Sequence, residues 1–184
     1  FLLPNELNTS TNPSLSEDRA SNYSMHIDTA GQGIATGSLT DLGISTTFSF
    51  SIWVNLSAFA SSYMHVLSTG FFNTAGFALW VKQDSGNYYW SFYVNGYTTN
   101  VITDTTAIVL NQWYHIAVSW NNTTGAKMYV NNGTPITGLA GLTLGNLSKN
   151  IAIGAAFSNT FQYPINGQID EVAIFNKSLT STDI

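Results

Sequence analysis

The chain has 184 residues, enough for one large domain with a buried core, since single β sandwiches run to about 200–250 residues. Hydrophobic residues make up 44% and aromatic residues 14%, which excludes a disordered chain. A net charge of −5 with only five Lys and Arg excludes a basic surface for nucleic acid or anionic membranes. Charged residues are 8% of the total, against roughly 25% in ordinary soluble domains, so Ser, Thr, Asn and Gly must hydrate the surface. Cysteine is absent, which removes disulfides, thiolate-bound zinc and a thiol nucleophile together. No apolar run approaches the roughly 18 residues of a spanning helix, so no membrane insertion is expected. Phe1-Leu2-Leu3-Pro4 is too short for a signal-peptide core and lacks a positive flank, and the sequence reads as a segment of a longer or processed product.

Residues 1–22, with Pro4 and Pro13 among many Ser, Thr and Asn, read as an extended lead-in, and the domain proper is placed at 23–184. From Tyr23 onward short strands alternate with turn clusters, an all-β pattern. In Phe48-Ser49-Phe50-Ser51-Ile52-Trp53-Val54, the residues Phe48, Phe50, Ile52 and Val54 share one face and the serines the other. Strands are predicted at 63–69 and 75–82, then a turn at 83–87 and an aromatic-rich strand at 88–95. Residues 113–120 alternate again and 126–131 return, with Asn132-Gly133 predicted as a tight hairpin because both tolerate positive φ. Segments 151–154 and 167–175 complete the strands, and Ser181 is predicted to start a helix that the last residue cuts short. Roughly a dozen strands without an amphipathic helix imply two packed antiparallel sheets, an all-β jelly-roll sandwich.

Three segments carry a resemblance. Asp18-Arg19 followed by Tyr23-Ser24-Met25-His26-Ile27-Asp28 resembles the opening strand of the laminin-G-like jelly roll, within the concanavalin A-like lectin and glucanase superfamily. Phe48-Ser49-Phe50-Ser51-Ile52-Trp53-Val54 is similar to that family's Phe-Thr-Ile-Ser-x-Trp-Val strand. The C-terminal half resembles it at Trp113-Tyr114-His115-Ile116-Ala117-Val118, Lys127-Met128-Tyr129-Val130-Asn131 and Gly167-Gln168-Ile169-Asp170-Glu171-Val172. One departure is that Asp28 is followed by Thr29-Ala30-Gly31, so the family's Gly after the Asp is displaced. The resemblance implies a concanavalin A-like fold whose members bind glycans, bind proteins or pad out large extracellular and viral proteins, so fold alone does not deliver function. It also implies one structural calcium between the opening strand and the last long strand, with Asp28 and Asp170 at the family's acidic positions. Carbonyl oxygens near Ala30 or Gly31 would help complete its six to eight oxygens. Otherwise, Asp28 caps a turn and Asp170 accepts backbone N–H bonds at a strand crossing.

Catalysis is not expected. A retaining glycosidase needs two carboxylates facing one bond about 5–5.5 Å apart, whereas Asp170 and Glu171 are adjacent and would point to opposite faces. No Gly-x-Ser-x-Gly elbow occurs, and His26, His65 and His115 each lie within a predicted strand as structural residues. Sugar recognition needs aromatic faces flanked by amides. In Tyr88-Tyr89-Trp90-Ser91-Phe92-Tyr93, Tyr89 and Tyr93 face opposite to Trp90 and Phe92, with Trp80 on a neighbouring strand and Tyr97 on the following loop. The ligand-binding candidates are Trp80, Tyr89, Trp90 and Tyr97, with amides from Asn73, Asn87, Asn95 and Asn100. The alternative is that all these rings pack between the sheets. Two functions stand side by side. One is a non-catalytic lectin-like module that binds glycans within a larger extracellular or virion protein. The other is a structural or decoration domain of a phage virion or bacterial surface protein, whose partners are neighbouring protein subunits.

Overall fold

The computed structural model describes residues 14–17, 23–70 and 75–184. Fifteen strands and no helix lie among them. They are β1 Ser14–Glu17, β2 Tyr23–Ile27, β3 Ile34–Ser38, β4 Thr47–Ala58, β5 Tyr63–Thr69, β6 Phe77–Asp84, β7 Asn87–Val94 and β8 Val101–Thr103. There follow β9 Trp113–Asn121, β10 Gly125–Val130, β11 Ile136–Gly138, β12 Asn150–Ile153, β13 Ala156–Ser158, β14 Thr160–Gln162 and β15 Asn166–Phe175. The first sheet runs β1-β2-β15-β4-β9-β10-β11, the second runs β3-β12-β5-β6-β7-β8, and β13 with β14 forms a separate hairpin. The ladders are antiparallel, and the two sheets stack as the expected jelly-roll sandwich. Strand β1 lies inside the stretch read as a lead-in and pairs with β2, while the rest of 1–22 lies outside the described residues.

Alternation decides which way each strand faces. Strand β4 sends Phe48, Phe50, Ile52, Val54 and Leu56 inward, and its neighbour β9 sends Ile116, Val118 and Trp120. From the second sheet, β6 contributes Phe77, Leu79 and Val81, and β7 contributes Trp90, Phe92 and Val94. The rings meet between the sheets, with Phe48 4.4 Å from Phe77 and 5.4 Å from Trp120 between centroids. Each fully buried side chain of this size contributes about 1.5–3 kcal/mol, so slipping a strand by one residue would forfeit the whole inner row.

Turn chemistry follows the sequence closely but shifts in two places. Ser85 and Gly86, at φ 50 and 87, make the two-residue link between β6 and β7. The predicted hairpin at Asn132-Gly133 sits one residue earlier. Asn131 and Asn132 take the positive φ values of 50 and 57, and Gly133 N–H donates to the Val130 carbonyl at 3.0 Å. The predicted helix start at Ser181 is instead a single turn capped at Thr180, whose N–H donates to Asp183 Oδ2 at 2.8 Å while Asp183 N–H donates back to the Thr180 carbonyl at 3.1 Å.

Gly125 opens β10 at φ 89, and a Cβ there would come within 2.3 Å of the Gly138 carbonyl oxygen and 2.8 Å of the Ala140 nitrogen. Gly125→Ala is therefore expected to lower the unfolding free energy by about 1–3 kcal/mol in urea titrations. An unchanged midpoint would mean that this turn relaxes without cost.

Candidate ligand-binding face

The second sheet has an outer face, built from the residues that alternate with the core set. Tyr63 and His65 come from β5, Ala78, Trp80 and Lys82 from β6, and Tyr89, Ser91 and Tyr93 from β7. Strand register places Tyr63, Lys82 and Tyr89 in one cross-strand row and His65, Trp80 and Ser91 in the next. Trp80 is 0% exposed although it points away from the inter-sheet core. Its cover is aromatic: Tyr63 stacks on it at 5.3 Å and 20°, and Tyr97 meets it edge-on at 5.7 Å. Tyr93, whose phenol burial pushes upward in pKa, lies edge-on to the same indole at 5.8 Å.

Local turns hold the outermost rings. Ser61 Oγ accepts from the Tyr63 N–H at 3.1 Å and donates to the Tyr63 carbonyl, which fixes the ring at the start of β5. Tyr163 lies in the link between β14 and β15, at φ 50, a conformation that costs a bulky residue about 1–3 kcal/mol. Two hydrogen bonds hold that link: His65 N–H donates to the Tyr163 carbonyl at 2.9 Å, and Ile165 N–H donates to the Gly154 carbonyl at 2.9 Å. Among the described residues the exposed large hydrophobics are Tyr63, Val109 and Tyr163, and two of these three border this face. Beside it lies a cavity of about 260 Å³, whose walls include Asp28, Thr29, Ser61, Tyr163, Pro164 and Asn166. Tyr163 therefore belongs to both the cavity and the aromatic group, since its ring also lies 6.5 Å from that of His65.

His65 is buried beneath this face, and burial holds its imidazole down to about 3 from the usual 6.5. The folded state keeps it neutral, while the unfolded chain takes up a proton below pH 6.5. Its share of stability is complete above pH 6.5 and is lost as pH falls towards 3. Stability should fall by about 1.4 kcal/mol per pH unit across that window, measured by urea unfolding between pH 7 and 5. Asp41 and Asp183, held low by hydrogen bonds from Ser38 and Thr180, act only below their usual 3.8. An identical pH slope in His65→Gln would show that another group carries the effect.

The structure divides the sequence-predicted aromatic candidates. Trp80, Tyr89 and Tyr97 share the outer region of the second sheet, and Trp80 forms its buried floor. Trp90 is a correction: it points between the sheets, is 0% exposed and meets Tyr114 at 5.5 Å, so no external ligand reaches it. The amides are also corrected in part. Asn95 Oδ1 accepts from Gly76 N–H at 2.9 Å and Gly145 N–H at 3.3 Å, and its Nδ2 donates to the Thr143 carbonyl, so it clasps loops together. Asn100 Nδ2 donates to the Asn95 carbonyl at 3.2 Å, and Asn73 lies outside the described residues. Tyr63 and Tyr163 were not among the sequence candidates. The phase of Met64 and Val66 in the core could have turned Tyr63 outward, whereas no sequence signal places Tyr163.

The structure sets Asp28 and Asp170, the two residues expected to share a calcium, towards opposite ends of the β2–β15 ladder. The β2–β15 ladder pairs Ile27 with Gly167 and Met25 with Ile169, so Asp170 falls beside Ser24 while Asp28 lies past the other end. That displacement is about 13 Å between backbone positions along the strand. Among the described residues no three His, Asp or Glu side chains gather as metal ligands. Asp170 Oδ1 instead accepts the N–H of Glu171 at 2.8 Å, where the β15–β4 register shifts and Glu171 takes φ 48.

An antiparallel jelly-roll sandwich with a buried tryptophan floored by one sheet and roofed by tyrosines defines the structural class. The chain belongs to the Laminin_G_3 family of the concanavalin A-like lectin/glucanases superfamily, whose description matches residues 28–184. No curated protein matches the chain. Among solved structures it is similar to domain 4 of AbnA, an extracellular arabinanase from Geobacillus stearothermophilus in complex with arabinotriose, at 20% identity and TM-score 0.70, covering 92% of this chain and 78% of that one. It is also similar to the Ruminococcus gnavus IT-sialidase CBM40 bound to α2,3 sialyllactose, at 13% identity and TM-score 0.68, covering 87% of this chain and 93% of that one. A Trypanosoma rangeli sialidase in complex with the inhibitor DANA matches at 15% identity and TM-score 0.60, covering 96% of this chain but 31% of the enzyme. At these identities the likeness establishes the fold. Among the described residues no helix is long and apolar enough to cross a membrane.

Proposed function

We propose that the chain is a non-catalytic glycan-binding module of a larger protein that acts outside the cell, with the sugar held over Tyr63, Tyr97 and Tyr163. The observation that carries this reading is the exposure of Tyr63 and Tyr163, at 36% and 37%, around a tryptophan floor on one face. A sugar ring offers an apolar C–H face and a hydroxyl rim, and tyrosine matches it with a flat ring and a polar tip. Two of the similar folds were solved with arabinotriose or sialyllactose bound, which supports a glycan as the ligand class. The non-catalytic reading rests on the acids: Asp170 and Glu171 lie in a bulge, and Asp170 is bonded to its neighbour's backbone. The test is a glycan array that includes arabinotriose and sialyllactose, probed with the wild type and with Tyr63→Ala. Binding by the wild type that the variant loses is expected. Silence of the folded wild type across the array would overturn the reading and leave neighbouring protein subunits as the partners to test.

A further inference from the structure

We infer that the glycan occupies two adjoining subsites, and that the second is the Asp28 cavity, where a neutral, hydroxyl-bearing sugar residue donates to the Asp28 carboxylate. This rests on the glycan-binding reading above and deepens it.

The two places are continuous through Tyr163 and Ser61. Tyr163 walls the cavity and lies beside His65 under the aromatic face, while Ser61 walls the cavity and fixes Tyr63 through its backbone. A ligand stacked on Tyr63 that continues past Tyr163 runs into the cavity. At about 260 Å³ the cavity falls below the roughly 300–1,000 Å³ of pockets for drug-sized ligands, and one sugar residue suits it better than a chain. Its chemistry is mixed in the way a sugar needs, with Ala60, Pro164 and Ile165 apolar and Asp28, Ser61 and Asn166 polar.

Asp28 is prepared as an acceptor. Its own N–H and that of Thr29 donate to Gln32 Oε1 at 2.9 and 3.3 Å, which locks the loop after β2. Thr29 Oγ1 donates to Asp28 Oδ1 at 2.7 Å and orients the carboxylate, while Oδ2 takes no hydrogen bond from the described residues. An ionised carboxylate accepts strongly from hydroxyls and repels a carboxylated sugar, so this subsite selects a neutral residue. The position that family resemblance assigned to a calcium shared with Asp170 thus serves the ligand directly.

The probes are the mono-, di- and trisaccharides of glucose, galactose, xylose, mannose and arabinose, with lactose and sialyllactose as a neutral and charged pair. Each is titrated against the wild type, Asp28→Ala and Tyr63→Ala, with calcium and with chelator, and melting temperature serves as the folding control. The wild type is expected to bind a disaccharide or longer at least about tenfold more tightly than its monosaccharide, the size of one hydrogen bond to a charged group. Asp28→Ala should bring the longer glycan down to the monosaccharide level without a change in melting temperature, and Tyr63→Ala should weaken both lengths. Chelator should change nothing. Equal affinity for all lengths, an unaltered length preference in Asp28→Ala, or binding that chelator abolishes would overturn the second subsite alone. An absence of binding to every probe would overturn the glycan-binding reading and this inference with it.

Discussion

Trp90→Ala is expected to lower the unfolding free energy by about 3–5 kcal/mol, because it empties an aromatic-sized volume between the sheets. The indole is 0% exposed, lies edge-on to Tyr114 and shares the core with Val81 and Phe92. Collapse of the site is resisted from both sides by β-strand ladders, so little of the cavity can close. Tyr89→Ala, one residue away on the opposite face and half-buried, should cost far less. Urea titrations of the two variants provide the comparison. A larger loss in Tyr89→Ala than in Trp90→Ala would mean that the two faces of β7 are assigned the wrong way round.

The second large effect concerns binding. Tyr63→Ala removes the ring that stacks on Trp80 and is 36% exposed, and should weaken glycan binding by about 10- to 100-fold, the worth of one aromatic stacking surface of about 1.5–3 kcal/mol. Tyr163→Ala should act similarly on binding, and it also places a smaller residue at φ 50. Combined, the two changes should abolish measurable binding while the core of Phe48, Phe77 and Trp120 keeps the fold intact. Affinity is read by isothermal titration and stability by thermal melting. Retained affinity in the double variant would remove this face from consideration as a sugar site.

The long strands were legible because burial imposes a period of two on them. Phe48, Phe50, Ile52 and Val54 alternate with Ser49, Ser51 and Trp53, and the strand they mark extends from Thr47 to Ala58. The short strands β3, β8 and β11, and the hairpin of β13 and β14, escaped notice. Three-residue segments such as Val101–Thr103 or Ile136–Gly138 carry less than two full alternations, and their pairing is imposed by neighbours already in place. The same limit explains Trp90. Within Tyr88-Tyr89-Trp90-Ser91-Phe92-Tyr93 both faces carry rings, so hydrophobicity could not say which looked inward. Pairing of β6 with β7 settles it, since Val81 lies opposite Trp90 and both join the inter-sheet core. Tyr163 was invisible for a different reason. Its position depends on a hydrogen bond from His65, nearly a hundred residues earlier in the chain by the numbering, and no local pattern encodes that contact. Strand motifs place Asp28 just past β2 and Asp170 on β15 but leave their relative displacement unspecified, which only the β2–β15 register supplies.

The most direct measurement is a crystal structure of the domain with a glycan that it binds on the array. A sugar ring is expected within van der Waals distance, about 4 Å, of Tyr63 or Tyr163, above the indole of Trp80. A sugar seated instead on the outer face of the first sheet, beside Trp53 and His115, would contradict glycan binding at the second sheet.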